Sequence, residues 1–273
     1  MKLAFYIQPV LKELSKVFPE LRVFTAEWPG YINGCEEAFE VETIGKFGHL
    51  ILGKQKSDYD RSYLRLSLRL IPHLLDFKPE VLFTVGFNFW TILIALLKPL
   101  GNWQIIVVYS GSSPNGDMVD AKIRLLARKF ISRRTSAFIT NSQAGKSYLT
   151  NILAVPPDRI FAQPYQIPDQ QSLLCSDDTS NCYFSGLKPP TFLFIGQTIQ
   201  RKGLMYLLEA CLLLNHQGYS NFSVVIVGEG SQRKEFETWS DKHGLQKQVR
   251  WEGWVSYNNL GFYFQNTDIF VFP

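Results

Sequence analysis

The sequence is poor in the residues that build metal and redox centres. It has four cysteines, Cys35, Cys175, Cys182 and Cys211, and four histidines among 273 residues. The cysteines form no CxxC pair, and none has a histidine partner at metal-ligand spacing, so neither a zinc site nor a thioredoxin-like centre is predicted. Sparse cysteine fits a reducing compartment, and we therefore expect a cytoplasmic protein.

A strong excess of charge of one sign is also absent. The 28 Lys and Arg residues against 24 Asp and Glu residues leave a net charge of +4. This mild excess is compatible with anionic ligands or a membrane surface, whereas a dedicated nucleic-acid binder concentrates its cations more strongly. We expect no nucleic-acid partner, and we attribute the aromatic fraction of 14% to core packing rather than base stacking.

We expect no signal peptide, because the N-terminal apolar stretch of about eight residues is too short for its core and has no small-residue cleavage site after it. A longer apolar run, VLFTVGFNFWTILIALLKPL, has the length of a membrane span. Gly86 and Asn88 divide this run into a strand-like half, Val81 to Val85, and a helix-like half, Phe89 to Leu97. A buried strand followed by a buried helix is therefore favoured over a span.

The sequence does contain a regular alternation of short apolar runs and longer segments of helical length. The apolar runs are LAFYI, VLFTV, QIIVVY, SAFIT, RIFAQ, TFLFIG, SVVIVG, VRWEGW and DIFVF. The helix-length segments are Tyr59 to Phe77, Met118 to Arg134, Gln143 to Leu153, Leu204 to Gln217 and Ser231 to His243. Continuously apolar strands that alternate with helices predict an α/β fold with parallel sheets covered on both faces.

The alternation pauses once, between Pro164 and Pro190, where the chain is rich in Pro, Ser, Asp and Asn. Such composition is typical of a linker between domains. We predict an N-terminal Rossmann-like domain over residues 1–165, a linker over residues 166–189 and a second Rossmann-like domain over residues 190–273.

The segment PTFLFIGQTIQRKGLMYLLEAC suggests where a ligand binds. Gly196 follows an apolar strand, and Arg201 and Lys202 precede an amphipathic segment. In parallel α/β domains, ligands bind beyond the carboxyl ends of the strands, where the next helix offers free N–H groups. Two cations at that position predict an anionic ligand such as a diphosphate. The alternative is a solvated basic pair that serves solubility.

Two further segments repeat this pattern of strand, glycine loop and helix. SVVIVGEGSQRKEF contains Gly228, Glu229 and Gly230, and VRWEGWVSYNNL contains Gly253, Trp254 and Val255. The order of the three units resembles the donor half of family 4 glycosyltransferases, which are retaining enzymes with two Rossmann-like domains in the GT-B arrangement. The runs KPEVLFTVGFN, IIVVYSGSSPNGD and SAFITNSQAGKSY resemble part of that family's acceptor domain more weakly.

The resemblance implies transfer of a hexose-type sugar from a nucleoside diphosphate sugar to a hydroxyl acceptor, in polysaccharide or glycolipid assembly. It implies retained anomeric configuration and no metal or other cofactor. Arg201 and Lys202 would be the catalytic cations, since charge on the leaving diphosphate needs stabilisation.

The other residues that this resemblance places at the substrate have distinct roles. Gly253, Trp254 and Val255 would contact the nucleobase, and the loop from Gly228 through Glu229 to Gly230 would shape the nucleotide pocket. Gly196 would let the backbone pass close to the ligand, and Gln197 stands where the family often has an arginine. Ser110, Asn141 and Ser142 would face the interdomain cleft, although Asn141 and Ser142 are equally suited to helix capping.

The sequence departs from the family at its C-terminal end. Pro273 stands where the family continues into a serine-rich turn and a helix with two glutamates. We therefore expect a transferase truncated before that motif, active in a longer chain or with a partner chain that supplies the rest. The alternative is a noncatalytic remnant that binds a nucleotide or serves as an interaction module. A nicotinamide-dependent oxidoreductase is disfavoured, because GEGSQR lacks the third glycine of the dinucleotide fingerprint.

The basic segment Lys122 to Arg134 leaves two interpretations open. It is amphipathic and cationic, so it would suit peripheral contact with anionic lipid at the inner face of the membrane. It would equally suit a helix that covers a sheet and exposes a solvated basic face.

Overall fold

The computed structural model describes residues 7–32, 34–44, 46–47, 64–65, 70–110, 122–164, 184 and 186–273. The first half contains the strands β1 (Arg22–Thr25), β2 (Glu40–Thr43), β3 (Lys46–Phe47), β4 (Leu64–Arg65), β5 (Val81–Val85), β6 (Gln104–Tyr109), β7 (Ala137–Thr140) and β8 (Ile160–Ala162). Its α-helices are α1 (Gln8–Ser15), α2 (Leu70–Phe77), α3 (Phe89–Leu97), α4 (Lys122–Arg134) and α5 (Gln143–Ser147).

The main sheet of the first half is parallel, with the strand order β5-β6-β7-β8. Its strands are linked through helices, as a parallel sheet requires. Trp103 and Phe138 are among the largest fully buried side chains of its core. A separate parallel pair joins β1 to β2, and β3 pairs with β4 in antiparallel fashion.

The long apolar run divides as predicted, into β5 and α3. Asn88 provides the boundary, since its side chain accepts a hydrogen bond from Thr91 N at 3.1 Å and donates one to Val85 O at 2.7 Å. This bond pattern is that of a helix N-cap. Among the residues described here, no helix is long and apolar enough to cross a membrane.

Other sequence-based predictions of this half differ from the structure or lie outside the residues described. Of the helix expected over Tyr59 to Phe77, the described part is Leu70–Phe77, and Leu64–Arg65 is instead a short strand. The strands β1 and β2 were not predicted. The run LAFYI and the linker over residues 166–189 fall mostly outside the described residues.

The second half contains the strands β9 (Thr191–Ile195), β10 (Ser223–Val227), β11 (Val249–Gly253) and β12 (Ile269–Phe270). Its helices are α6 (Leu204–His216), α7 (Arg233–Lys242) and α8 (Leu260–Gln265). The strands form one parallel sheet in the order β11-β10-β9-β12.

The central strand β10 is buried on both sides. Val224 and Ile226 pack into one core with Phe236 of α7, whereas Val225 and Val227 pack into another with Tyr263 of α8. Successive side chains of a strand point to opposite faces, so both faces of this sheet are covered. The predicted α/β class with covered parallel sheets is therefore confirmed.

The basic segment forms helix α4, which is anchored at its C-terminal end. Arg134 Nη1 donates to Ala95 O of α3 at 3.1 Å, and Lys98 Nζ donates to Arg134 O at 2.8 Å. Ile131 is buried, whereas Ile123 and Leu126 are 84% and 68% exposed. The C-terminal half of the helix thus packs on α3 and the sheet core, and its N-terminal half presents apolar side chains among cations.

Candidate functional site

The carboxyl ends of β9, β10, β11 and β12 lie at one edge of the second sheet, because the four strands are parallel. The predicted donor-side residues lie in the loops that follow the first three of these strands, except Gly253, which is the last residue of β11. Hydrogen bonds join the loops directly: Gly196 N donates to Val227 O at 3.0 Å, and Thr198 N donates to Glu229 O at 3.2 Å. The loops therefore form one packed surface.

The predicted cations lie in a turn just before the helix. Arg201 and Lys202 belong to the 3-10 turn Gln200–Lys202, and Gly203 then leads into α6. Arg201 and Gln197 are exposed and Gly196 is half-buried. Since the amino end of α6 and both cations share this edge, the loop has the electrostatic character of an anion site.

Lys202 and Gly203 pack against the end of β12. Lys202 Nζ lies 5.1 Å from the centroid of the Phe272 ring, a cation–π distance. Gly203 has a φ of +71°, and a Cβ there would lie 3.0 to 3.1 Å from atoms of Pro273. The residues after β12 therefore help to position the lysine, which the loop sequence alone does not reveal.

Gly228 and Gly230 allow the loops to approach one another closely. A Cβ on Gly228, whose φ is +134°, would lie 1.9 Å from Gly196 O, and a Cβ on Gly230 would lie 2.6 Å from Thr198 O. Gly228 N also donates to Gly253 O at 2.6 Å. The loop of these glycines was predicted to shape the nucleotide pocket, and in the structure both glycines let the neighbouring backbone lie close.

Glu229 forms an ion pair with Arg233, which also binds Glu237 Oε1 through Nε at 2.7 Å. The hydrogen bond with Glu237 and the nearby charge of Glu229 raise the pKa of the Arg233 guanidinium. Gly253 has a φ of +76°, and a Cβ there would meet Arg233 Nη1 at 2.7 Å. The pair therefore fills the space beside Gly253 and holds the second loop against the third.

Arg233 is not part of the predicted site. Glu229, Arg233 and Glu237 are spaced four residues apart in the sequence. Because residues at this spacing are neighbours on a helix surface, the spacing could have indicated the ion pairs of Arg233. In the third loop, Trp254 is exposed and Val255 is half-buried. Val255 packs against the core that contains Val225 and Tyr263.

The first-half candidates lie at the carboxyl edge of the other sheet. Ser110 follows β6 and is exposed, while Asn141 and Ser142 follow the neighbouring strand β7. The rest of the loop predicted around Ser110, residues 111–114, lies outside the described residues. Ser142 Oγ accepts a hydrogen bond from Gly145 N at 3.1 Å and so caps α5. The capping alternative thus has a direct structural basis at Ser142.

Replacing Ser142 with Ala is expected to lower the free energy of unfolding by about 1 kcal/mol, because the Gly145 N–H loses its acceptor. Ser142→Asp retains an acceptor and should keep most of the stability. Urea denaturation of both variants measures the effect. An alanine variant as stable as the parent would contradict the capping role.

Clusters of His, Cys, Asp and Glu that could hold a metal ion do not occur within the described residues. The chemical character of the edge at β9 to β12 is instead that of a polar surface with backbone N–H groups, two exposed or half-exposed cations and an exposed indole.

Comparisons with known proteins relate the second half to a protein family and the whole chain to a known fold. Residues 180–273 match the family model described as "Glycosyl transferases group 1". No curated protein matches the sequence significantly. Anabaena Alr3699/HepE in complex with UDP-glucose is 14% identical, with a TM-score of 0.71 over 98% of this chain and 70% of that one.

Two further solved structures are similar over nearly the whole chain. WaaG, described as a glycosyltransferase involved in lipopolysaccharide biosynthesis, is 17% identical, with a TM-score of 0.58 over 100% of this chain and 73% of that one. The lipopolysaccharide outer core galactosyltransferase WaaB is 13% identical, with a TM-score of 0.54 over 97% of this chain and 68% of that one. The fold is therefore that of the GT-B glycosyltransferases.

Proposed function

We propose that this chain, whose residues 180–273 match the family model of group 1 glycosyltransferases, transfers a hexose-type sugar from a nucleoside diphosphate sugar to a hydroxyl group. The observation that carries the proposal is the position of Arg201 and Lys202 beside the amino end of α6, at the carboxyl edge of the second sheet. The structure of HepE in complex with UDP-glucose supports a uridine diphosphate sugar as the donor.

In this proposal the diphosphate lies on the first loop. Gly196 and Gln197 line it, and Arg201 and Lys202 stabilise the negative charge that develops as the glycosidic bond breaks. The Gly228–Gly230 loop borders the nucleotide and is held there by the pair of Glu229 with Arg233. The exposed indole of Trp254 and the backbone of Gly253 and Val255 contact the base.

The finer features of the reaction follow from the same arrangement. Fixed cations supply the positive charge that some transferases obtain from a metal ion, so we propose catalysis without metal. We also propose that the anomeric configuration is retained, which NMR of the product establishes directly. Activity that depends strictly on an added divalent cation would contradict the metal-independent mechanism.

Two exposed surfaces support further proposals, and the first, on α4, concerns contact with the membrane. The N-terminal half of α4 presents Ile123 and Leu126 beside Lys122 and Arg124, a composition suited to an anionic lipid surface. We therefore propose a cytoplasmic enzyme of polysaccharide or glycolipid assembly that contacts the membrane peripherally. Sedimentation with vesicles containing anionic lipid tests the contact, and binding that does not depend on anionic lipid would contradict it.

The second surface is the β12 edge of the sheet, where Ile269 and Phe270 are about half exposed. An edge of this kind is able to pair with a further strand. We propose that such a strand, in a longer chain or in a partner chain, completes the donor domain. Nucleotide binding without transfer would favour the alternative of a noncatalytic nucleotide-binding module.

Lys202→Ala tests the donor site. We expect UDP binding to weaken by about 1.5 to 3 kcal/mol, the value of a hydrogen bond to a charged group, which is about 10- to 150-fold in Kd. Titration calorimetry with UDP measures this loss. Lys247→Ala is the matched control, because this exposed lysine lies near the amino end of β11, at the opposite edge of the sheet. Equal UDP affinity in the two variants would remove Lys202 from the site.

A further inference from the structure

The turn that carries Arg201 and Lys202 receives its cap from a neighbouring loop. The first N–H groups of a helical turn have no partner within that turn. Here the turn begins at Gln200, and the preceding residue, Ile199, makes no side-chain hydrogen bond to it. The acceptor for the Gln200 N–H is instead Oε1 of Gln232, on the second loop. The second loop therefore satisfies an N–H group that the first loop leaves open.

Gln232 does not cap its own helix. It occupies the N-cap position of α7, where serine, threonine, aspartate and asparagine usually accept a hydrogen bond from the first turn, but its side chain makes no such bond. The longer glutamine side chain crosses to Gln200, and its Nε2 donates to Glu235 Oε2 at 3.3 Å. Because an ionised carboxylate only accepts, this second bond fixes which end of the amide faces the first loop.

Backbone contacts hold the two loops together beside this side chain. Thr198 N donates to Glu229 O at 3.2 Å, and Gln232 N donates to Thr198 O at 3.1 Å. A Cβ on Gly230 would lie 2.6 Å from Thr198 O, so the loops are closer than a larger residue there would allow. The Gln232 side chain extends these contacts to the first residue of the turn that carries the cations.

Lys202 is held at both its ends as a result. Its Nζ lies 5.1 Å from the centroid of the Phe272 ring, and its backbone N donates to Ile199 O at 3.0 Å within the turn. A lysine side chain is long and flexible, so the ammonium meets a ligand in one place only if the backbone beneath it is fixed. The hydrogen bond from Gln200 to Gln232 restricts that backbone.

We propose that Gln232 is a positioning residue of the donor site: it holds the turn of Lys202 in place for the diphosphate without contacting the ligand itself. This inference rests on the proposed function, and it adds to that function a residue from outside the glycine loops. Two consequences follow. Loss of the Gln232 acceptor should weaken binding of the diphosphate, and the loss should depend on the presence of the Lys202 ammonium.

Titration calorimetry of the full chain with UDP tests the first consequence. Gln232→Leu keeps the size of the side chain but offers no acceptor, and Kd should rise about 3- to 10-fold, as for one lost neutral hydrogen bond. Gln232→Asn keeps an amide that is one methylene too short, and it should lose as much. This polar exchange keeps the test decisive even if the leucine variant folds poorly.

Gln246→Leu is the matched control. This exposed glutamine also forms a hydrogen bond with a backbone oxygen, since its Nε2 donates to Asp241 O at 2.6 Å, but it lies beyond the C-terminal end of α7. The control variant should bind UDP as the parent does. Urea denaturation of all the variants shows that each is folded at the temperature of the titration.

A double-mutant cycle tests whether Gln232 acts through Lys202. Adding Gln232→Leu to Lys202→Ala should weaken UDP binding by less than about twofold, because no ammonium is left to position. Independent roles would instead give losses that multiply, and that result would overturn the positioning role.

The same titrations separate this inference from the function on which it rests. A parent protein that does not bind UDP would overturn the proposed function. UDP binding by the parent, with the expected loss in Lys202→Ala but parent-like affinity in Gln232→Leu and Gln232→Asn, would overturn the role of Gln232 alone.

Discussion

Replacing Gly228 with Ala is expected to destabilise the second half of the chain and to abolish UDP binding. The added Cβ would lie 1.9 Å from Gly196 O, so the first and second donor loops would have to separate. Overpacking costs about 1 to 3 kcal/mol and a side chain at a φ of +134° costs a similar amount, giving about 4 kcal/mol together. Urea denaturation and UDP calorimetry measure the two effects.

Gly244→Ala is the matched control for this substitution. Gly244 also has a positive φ, of +75°, but nothing lies within 4 Å of the Cβ that a substitution would add. The control therefore carries conformational strain alone, about 1 to 2 kcal/mol, and should bind UDP normally once folded. If the two variants lost equal stability, the packing of Gly228 on Gly196 would not be what requires glycine there.

The second sheet could be predicted well from sequence, because its inner strands β9 and β10 are buried on both faces. A strand in that position is apolar throughout, as SVVIV of β10 shows, and its boundaries are marked by glycine and polar loops. The same reasoning predicted β5 and α3 with their observed bounds.

The strands β1 and β2 could not be predicted in the same way, because neither has a continuous apolar run. Ion pairs between charged side chains link them instead. Arg22 of β1 binds Glu40 of β2 at 2.8 Å and Glu42 of β2 at 3.0 Å. Glu42 also contacts His73 Nδ1 at 2.9 Å. A short segment such as EVET carries no signal of pairing until the partner strand and helix α2 are known.

The candidate donor site could also be predicted only in part. Gly196, Gly228 and Gly253 were predicted as site positions from the pattern of strand followed by glycine, and they do lie at one sheet edge. The packing of Lys202 on Phe272 could not be predicted, because the two residues are far apart in sequence.

We propose that the chain is divided into a domain over residues 1–165, a linker over 166–189 and a domain over residues 190–273. Two core substitutions test this division. Phe138 is fully buried in the core of the first sheet, and Phe236 is almost fully buried in a core of the second. Truncating either ring to Ala removes a buried aromatic side chain and should cost about 3 to 5 kcal/mol. If each core belongs to its own domain, each loss should remain local.

Hydrogen exchange in increasing urea, followed by mass spectrometry of peptides, measures where stability is lost. Phe138→Ala should lower protection in β6 and β7 and leave β9, β10 and UDP affinity unchanged. Phe236→Ala should do the reverse and weaken UDP binding, because α7 carries Arg233 against the second loop. The contact of Tyr257 with the cluster of Ile32 and Phe39 is the connection through which the two halves could unfold together. Equal loss of protection in both sheets for either variant would mean that this contact joins them into one cooperative unit, and the division into two domains would then be wrong.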